Sequence, residues 1–435
     1  MRRLTHSAGG RAARCVGLPQ TTPVRTKTSV VAAWGAFVGP LAAASSAGVQ
    51  PHGLERHACA SPTYLSPNRL FGVPAASDVR VQAIGAGVRH ALVAAEVSTD
   101  AGPQTLLAGI GLNRCWQLGK PRSGASADDT SLPVVTDIEG SIVQISCGRE
   151  HSAMIVRRHN GQRRVVVCGS SAFGQVGLIP DRSDGAGCSP PRTGLCDVEG
   201  LDEQLGAGEA PVKVQCGLDH TAILTSAGRV FAMGWGADGQ LGTGSVADSA
   251  TPVPVRGLDG VPIADISSSA DFTLALSADG QLFYWGNAEY GQCMVGRKIE
   301  RVLLPLEVQF GKEQRVRGIA AGGCHALTLT EDGRVHACGY AALGLGPDTI
   351  SAYMPTAIGG LDGIDALYAS ADRCLAIDRT RGRVYSWGLG NAEGRLGNGT
   401  VARHILSPEP LAIDPELARR GLVALGNDIA MLALM

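Results

Sequence analysis

The sequence predicts an all-β fold, a seven-bladed β-propeller closed by pairing one or more N-terminal strands with the C-terminal blade. A glycine-punctuated segment recurs seven times in the same order along the chain. The copies are spaced by about fifty to seventy residues, which matches one four-stranded blade per copy. The seventh copy ends the chain before its second hairpin, and a segment near the other end resembles the missing hairpin.

The repeat is clearest in residues 214–244, which read VQCGLDHTAILTSAGRVFAMGWGADGQLGTG. The stretch HTAILTS alternates like a half-buried strand, and Ala227-Gly228 then gives a hairpin signal. A second strand ends in glycine and precedes a tight GQLG loop, where glycine permits positive φ. The residues at the repeat position of His220 are, in order, His90, His151, His220, Phe272, His325, Arg373 and Ile429. The glycines that end the second strand include Gly234, Gly286, Gly339 and Gly388.

Residues that recur with the repeat are expected to be structural. The imidazoles are predicted to bond a neighbouring strand or turn, with partner contact or a metal site as the alternatives. The glycines are predicted to occupy backbone conformations that other residues resist.

The ring is predicted to close through residues 29–40. The segment VVAAWGAFVG resembles SWGLGNAEG of the sixth copy without its polar spacer, so it is expected to supply outer strands of the last blade. Such pairing would satisfy backbone groups at a sheet edge. A presequence or linker and a membrane anchor are alternatives, although residues 30–44 are fewer than the roughly 18–20 that cross a bilayer. Residues 29–435 are expected to form one domain, with a connecting loop at 41–78 and an inserted loop at 179–209.

The net charge of −1 conceals an asymmetry along the chain. No Asp or Glu precedes Glu55, whereas several Arg and one Lys do. Residues 1–28 are rich in Arg, Ser and Thr and lack a long apolar core, which predicts a disordered mitochondrial transit-like leader. A basic disordered tail and plastid import are the alternatives. The remaining body carries about −7 and is therefore a poor general binder of nucleic-acid phosphates.

The sequence predicts no catalytic, cofactor-binding or metal-binding residues. It contains no GxSxG, HExxH or Walker-type phosphate loop, and its 12 Cys include no CxxC pair. Most cysteines lie in apolar strand segments, where a thiol acts as a small hydrophobe, so free thiols are expected.

Acidic residues precede the repeat position of His220 in five of the seven copies. They are Glu150, Asp219, Asp271, Asp372 and Asp428. Pseudo-symmetry places them on one rim of the ring, where an interrupted acidic circle would attract a basic partner. The alternative is that Asp favours these turns by bonding its own backbone. The sequence leaves both hypotheses open.

The pattern Cys-Gly-x-x-His-(Ser/Thr)-Ala, then Asp-Gly-x-Val, then Trp-Gly and Gly-Gln-Leu-Gly, resembles the repeat of the regulator of chromosome condensation family. The resemblance covers about residues 79–435, and with the leader the chain is most similar to the mitochondrial branch of that family. It implies a propeller without enzymatic activity. Nuclear members bind a small GTPase and promote guanine nucleotide exchange, to which acidic and polar residues around this repeat position contribute.

The resemblance implies a monomeric, non-enzymatic scaffold in the mitochondrial matrix or on the matrix face of the inner membrane. Mitochondrial relatives are associated with assembly of the mitochondrial ribosome or of respiratory complexes, through contacts with proteins and, as a further candidate, RNA. The alternative function is a guanine nucleotide exchange factor for a small or organellar GTPase.

Overall fold

The computed structural model describes residues 30–35, 59–120, 134–178, 194–310, 315–390, 394–400 and 404–434. Within these residues the strands form seven four-stranded antiparallel sheets, numbered here as blades 1 to 7. The innermost strand of each blade contacts that of the next blade, and the last contacts the first. The sheets therefore form a closed ring, and the predicted seven-bladed β-propeller is confirmed.

Blade 7 joins the two ends of the chain. From the central channel outward it contains β27 (Leu422–Leu425), β28 (Ile429–Ala433), β1 (Val31–Gly35) and β2 (Cys59–Leu65). Strand β1 pairs antiparallel with β28, with Ala32 opposite Leu432 and Trp34 opposite Ala430. Residues 29–40 thus supply the third strand of the blade, as the sequence predicted, whereas the outermost strand is β2, from a range that was predicted to be a connecting loop.

Blades 1 to 3 follow in chain order, each listed from the channel outward. Blade 1 contains β3 (Val79–Ala86), β4 (His90–Thr99), β5 (Gly102–Gly111) and β6 (Val134–Ile138). Blade 2 contains β7 (Ser141–Cys147), β8 (His151–Arg157), β9 (Arg163–Gly169) and β10 (Cys196–Asp197). Blade 3 contains β11 (Pro211–Cys216), β12 (His220–Thr225), β13 (Val230–Gly234) and β14 (Ser249–Pro254).

Blades 4 to 6 have the same strand order. Blade 4 contains β15 (Ile263–Ser268), β16 (Phe272–Ser277), β17 (Leu282–Asn287) and β18 (Arg301–Val308). Blade 5 contains β19 (Val316–Ala321), β20 (His325–Thr330), β21 (Val335–Tyr340) and β22 (Ser351–Ala357). Blade 6 contains β23 (Ala366–Ser370), β24 (Arg373–Asp378), β25 (Arg383–Leu389) and β26 (His404–Pro410).

The loop boundaries expected from the sequence need refinement. The range 41–78, expected as a connecting loop, contains β2 and the helix α1 (Pro67–Phe71). Strand β2 was missed because the outermost strand of a blade is partly exposed and carries little of the repeat pattern. The range 179–209 contains β10 and a 3-10 turn at Asp202–Gln204. A second helix, α2 (Pro415–Arg420), lies before β27.

Several predicted segments fall outside the described residues. The leader, residues 1–28, lies wholly outside them, as do residues 36–58 and 179–193. In the described part of the chain, no helix combines the length and apolar character needed to cross a membrane.

The core lies between neighbouring blades, and its tryptophans mark the repeat. Trp285 and Trp387 are fully buried one residue before the glycine in their third strands, and Trp34 occupies the same place in β1. Trp34 packs in one apolar cluster with Leu375 and Leu432, between blades 6 and 7. Strand β1 therefore takes the place of a third strand in both pairing and packing.

Candidate functional site

Each blade has a loop between its first and second strands. We call the residue immediately before the second strand the rim residue; the seven are Arg89, Glu150, Asp219, Asp271, Cys324, Asp372 and Asp428. Because successive strands are antiparallel, the connection from the third to the fourth strand lies on the same side of the ring. We call this side the rim face.

Backbone hydrogen bonds hold the rim residues in place. The amide of Trp235 donates to the carbonyl of Asp219 at 2.9 Å, and that of Asn287 donates to the carbonyl of Asp271 at 2.8 Å. The amide of Leu389 makes the same bond to Asp372 at 2.9 Å. Each donor follows the glycine of the third strand, so this glycine lies against the rim loop.

The predicted repeat glycines occupy positions where a side chain does not fit. An added Cβ on Gly234, Gly286, Gly339 or Gly388 would lie 2.1 to 2.5 Å from the carbonyl oxygen of the rim residue. Their φ angles are +108°, +105°, +110° and +145°, in the region that favours glycine. Glycine is therefore required here for both space and backbone conformation.

The four repeat histidines join neighbouring blades. The Nε2 atom of His90 lies 2.8 Å from Oγ of Ser152, and that of His151 lies 3.1 Å from Oγ1 of Thr221. His220 contacts Thr273 at 3.3 Å. The remaining contact joins His325 Nε2 to Cys374 Sγ at 3.0 Å. In each pair the partner belongs to the next blade, one residue after the repeat position, so the histidines connect blades rather than forming a separate site.

The hydroxyl partners of His90 and His151 determine which ring nitrogen of each imidazole carries the proton. Ser152 donates its hydroxyl proton to the carbonyl of Gln117, and Thr221 donates to that of Gln175. Each hydroxyl has one proton, so it accepts from the histidine, which carries its proton on Nε2. Burial lowers the pKa of His90 to about 3 and that of His151 to about 4. Both imidazoles are therefore neutral at physiological pH.

Three blades have other residues at the repeat position: Phe272 in blade 4, Arg373 in blade 6 and Ile429 in blade 7. Phe272 stacks on Tyr284 with ring centroids 5.2 Å apart. Arg373 is fully buried, where it donates to the carbonyl of Ile429 in blade 7 at 3.0 Å and to that of Arg395 at 2.5 Å. Burial lowers the pKa of Arg373 to about 9. Arg373 thus preserves a contact with the next blade without the imidazole.

The structure divides the predicted acidic rim residues into two groups. Asp219 is buried and forms an ion pair with Arg149 of the preceding blade. Asp428 is also buried, 3.2 Å from Arg395 and 3.8 Å from Arg89. The charges of these two carboxylates are therefore largely neutralised within the ring. The sequence did not predict these ion pairs, because each arginine belongs to a different blade from its aspartate.

The other group retains accessible negative charge. Glu150 and Asp271 are half-buried, and Asp372 is exposed. Burial, followed by the nearby Asp238 and Asp219, raises the pKa of Asp271 to about 6. Burial also raises the pKa of Asp372, while Arg395 opposes the rise. Neither Asp271 nor Asp372 has a side-chain hydrogen bond or ion pair with any residue the structure describes.

A cavity of about 520 Å³ occupies the central channel and was not predicted from the sequence. Its charged side chains have partners in the walls. Lys213 pairs with Asp265 of the next blade. Arg317 donates to the carbonyl of Ile364 at 2.6 Å, and Arg379 donates to that of Gly421 at 3.3 Å. These contacts again run from one blade to the next, which gives the channel charges a structural role.

The cysteines differ in one respect from the expectation. Eight described cysteines are free thiols, most of them buried in strands, but Cys115 is in a disulfide. The described residues contain no group of three or more His, Cys, Asp or Glu arranged to hold a metal ion.

A family comparison decides the classification of this glycine-punctuated propeller. The RCC1-like domain matches residues 53–432. The chain belongs to the RCC1-like family. The resemblance to the regulator of chromosome condensation repeat is thereby confirmed, whereas membership of the mitochondrial branch stays a prediction.

Individual RCC1-like proteins support the same family. The human RCC1-like G exchanging factor-like protein is 31% identical over 325 residues, which cover 70% of this chain and 67% of that protein. The crystal structure of human WBSCR16 matches with a TM-score of 0.77 and 27% identity, covering 93% of this chain and 99% of that chain. The structure of Prp20p from Saccharomyces cerevisiae has a TM-score of 0.69 and 20% identity, covering 94% and 92%. The last of these supports the fold alone.

Proposed function

We propose that this RCC1-like propeller is a non-enzymatic protein-binding scaffold that engages a basic protein partner through its rim face. The proposal rests on the lack of side-chain partners for Asp271 and Asp372 among the described residues. Their side chains make no hydrogen bond within the described residues, so bonding to their own turns does not account for them. Carboxylates left without partners on one face of a ring are available to a basic partner.

We place this scaffold in mitochondria, on the matrix side, in support of ribosome or respiratory-complex assembly. The support is the basic, acid-free segment of residues 1–28. Import of the labelled full chain into isolated mitochondria, with protease protection and dependence on membrane potential, tests this placement. A variant lacking residues 1–28 is the control and is expected to remain outside. Equal protection of both forms, or of neither, contradicts the mitochondrial proposal.

The partner is tested by comparing purified complexes from two variants of the full chain. Asp271→Asn together with Asp372→Asn removes two negative charges while keeping side-chain shape. Asp259→Asn is the matched control, because Asp259 is exposed in the connection between β14 and β15, on the opposite side of the ring. Loss of ribosomal or respiratory assembly proteins only from the double variant supports the proposal. Identical partner sets in all forms contradict a binding role of the rim.

Guanine nucleotide exchange is the second candidate function. It is supported by the name and 31% identity of the human RCC1-like G exchanging factor-like protein. Prp20p is described as binding Gsp1p and histones, but at 20% identity its likeness to this chain supports only the shared fold. Release of a fluorescent GDP analogue from purified small and organellar GTPases tests this candidate. Acceleration that is lost in the Asp271→Asn and Asp372→Asn double variant supports exchange, and no acceleration favours the scaffold.

A further inference from the structure

Four exposed apolar side chains belong to blades 4 and 5. The exposed fractions are 38% for Tyr290, 42% for Tyr340, 52% for Ile350 and 50% for Met354. The Tyr290 and Tyr340 rings lie 6.0 Å apart between centroids, at an interplanar angle of 31°. The amide of Ala341 donates to the carbonyl of Ile350 at 2.8 Å, which places Ile350 beside Tyr340. Exposed aromatic rings grouped with aliphatic side chains are typical of interaction sites.

This group lies where blade 5 interrupts the acidic rim. The blade 5 rim residue is Cys324, whose carbonyl accepts the backbone amide of Tyr340 at 2.9 Å. Burial and the nearby carboxylates of Asp372, Asp271 and Glu289 raise the pKa of Cys324 to about 11. The two tyrosines therefore lie beside the rim residue of blade 5, between the blades that carry Asp271 and Asp372. We call Asp271, Tyr290, Cys324, Tyr340 and Asp372 the tyrosine notch.

The aromatic rings and carboxylates of the tyrosine notch are complementary to a cationic side chain. Aromatic faces attract cations, and carboxylates beside the rings add attraction of the same sign. Within the described residues, Lys298 lies over Tyr353 at 5.9 Å, whereas no cation lies over Tyr290 or Tyr340. Arginine fits better than lysine, because its planar guanidinium stacks on aromatic rings and pairs with carboxylates in a defined geometry.

We infer that the tyrosine notch receives an arginine side chain displayed by a protein partner. An apolar residue beside that arginine covers Ile350. The inference rests on the proposed use of the rim face for binding and specifies the partner contact. It distinguishes the rim of blades 4 to 6 from that of blades 3 and 7. In blade 3 Arg149 pairs with Asp219, and in blade 7 Arg89 and Arg395 pair with Asp428.

The test uses the full chain labelled with 3-fluorotyrosine and observed by ¹⁹F NMR. The variants Tyr290→Phe and Tyr340→Phe each remove one signal and so assign the two resonances. The probe is the peptide acetyl-Leu-Arg-Leu-amide, titrated to about 10 mM, and the same peptide with citrulline in place of arginine is its neutral isostere. Tyr64, which is 50% exposed in blade 7, is the internal control.

The expected result is a saturable shift of the Tyr290 and Tyr340 signals while that of Tyr64 stays constant. The citrulline peptide should bind at least about fivefold more weakly, because both the cation–ring contact and the ion pairs are lost. The Asp271→Asn and Asp372→Asn double variant should weaken arginine binding about threefold. The remaining tyrosine signals report whether that variant is folded.

Three outcomes would overturn the inference. They are no shift of either signal at the highest peptide concentration, equal affinity for the citrulline peptide, and an equal shift of Tyr64. A change of the two signals with protein concentration alone would assign the notch to a second copy of this chain and would also overturn it. Because the peptide assay needs neither mitochondria nor a GTPase, its failure leaves the scaffold and exchange proposals separately testable.

Discussion

The Nε2 atom of His151 lies 3.1 Å from the Oγ1 atom of Thr221, so that a side chain of blade 2 bonds one of blade 3. The hydroxyl of Thr221 in turn donates a hydrogen bond to the carbonyl of Gln175 in blade 2. Two sheets that share no backbone pairing are thereby joined by a chain of two hydrogen bonds. Repetition of this arrangement around the ring makes the interfaces between blades the units that determine stability.

Replacement of His151 by Ala should lower the free energy of unfolding by about 2–4 kcal/mol, because it leaves a cavity and an unpaired hydroxyl. Thr221→Val should cost about 1 kcal/mol. Urea unfolding of both single variants and the double variant measures the coupling between the two residues. The control is His159→Ala in the exposed hairpin of the same blade, which should be near neutral. Additive effects of the two substitutions would contradict a direct bond.

The ring should lose stability in mild acid because its histidines are buried in the neutral form. The folded pKa of His220 is about 3 and that of His325 about 4, below the ordinary value of 6.5. Between these values the unfolded chain binds more protons, so stability is complete above pH 6.5 and falls as pH falls toward 4. Each histidine should contribute about 1 kcal/mol per pH unit. Unfolding free energies measured across this range test the slope.

His220→Phe, which copies the residue natural to blade 4, is the matched variant for that slope. It should bind about one proton fewer on unfolding than the native sequence. An unchanged pH dependence would assign the acid sensitivity to other groups.

Gly286→Ala should destabilise the ring more than an alanine at an unobstructed glycine of similar conformation. At Gly286 the new Cβ would lie 2.4 Å from the carbonyl oxygen of Asp271, whereas nothing lies within 4 Å at Gly257. Both glycines have positive φ, +105° and +79°. Gly257→Ala is expected to cost about 1 kcal/mol for backbone conformation alone, and Gly286→Ala about 3 kcal/mol or more. Equal losses in urea unfolding would show that the close contact has no energetic effect.

Removal of residues 29–40 should sharply lower the melting temperature, because β28 would lose its pairing partner and Trp34 would leave the interface of blades 6 and 7. Trp34→Ala alone should cost about 3–5 kcal/mol. Thermal unfolding followed by circular dichroism measures both variants. Deletion of residues 1–28 is the control and should leave the melting temperature unchanged. An unchanged value for the longer deletion would contradict closure by β1.

The sequence predicted the parts of the fold that every copy repeats. Residues such as His220 and Gly286 recur at fixed offsets because each blade makes the same contacts with its rim loop and with the next blade. The blade count and the closure through Trp34 could therefore be inferred. Strand β2 could not, since its outer position imposes few demands on residue type. The final strands of blades 4 to 6 are likewise partly exposed.

The candidate site was predictable only in part. The acidic rim positions follow from the repeat, and the structure places all of them in equivalent loops. Whether a given carboxylate is neutralised depends on residues of other blades, as for Asp219 with Arg149 and Asp428 with Arg395. The tyrosine pair could not be predicted because Tyr290 and Tyr340 come from different blades and are 50 residues apart in the sequence, so only the fold brings their rings together.

The pairing of β1 with β28 also imposes an order on biosynthesis. A ribosome completes Val31–Gly35 and Cys59–Leu65 roughly 360 to 400 residues before it completes β27 and β28. Throughout that interval β1 can pair with β2 on one edge, but its other edge, which pairs with β28 in the finished protein, has no native partner. Unpaired strand edges are prone to aggregate. A chain that stops short of Ile429 never acquires β28, so that edge of β1 stays open.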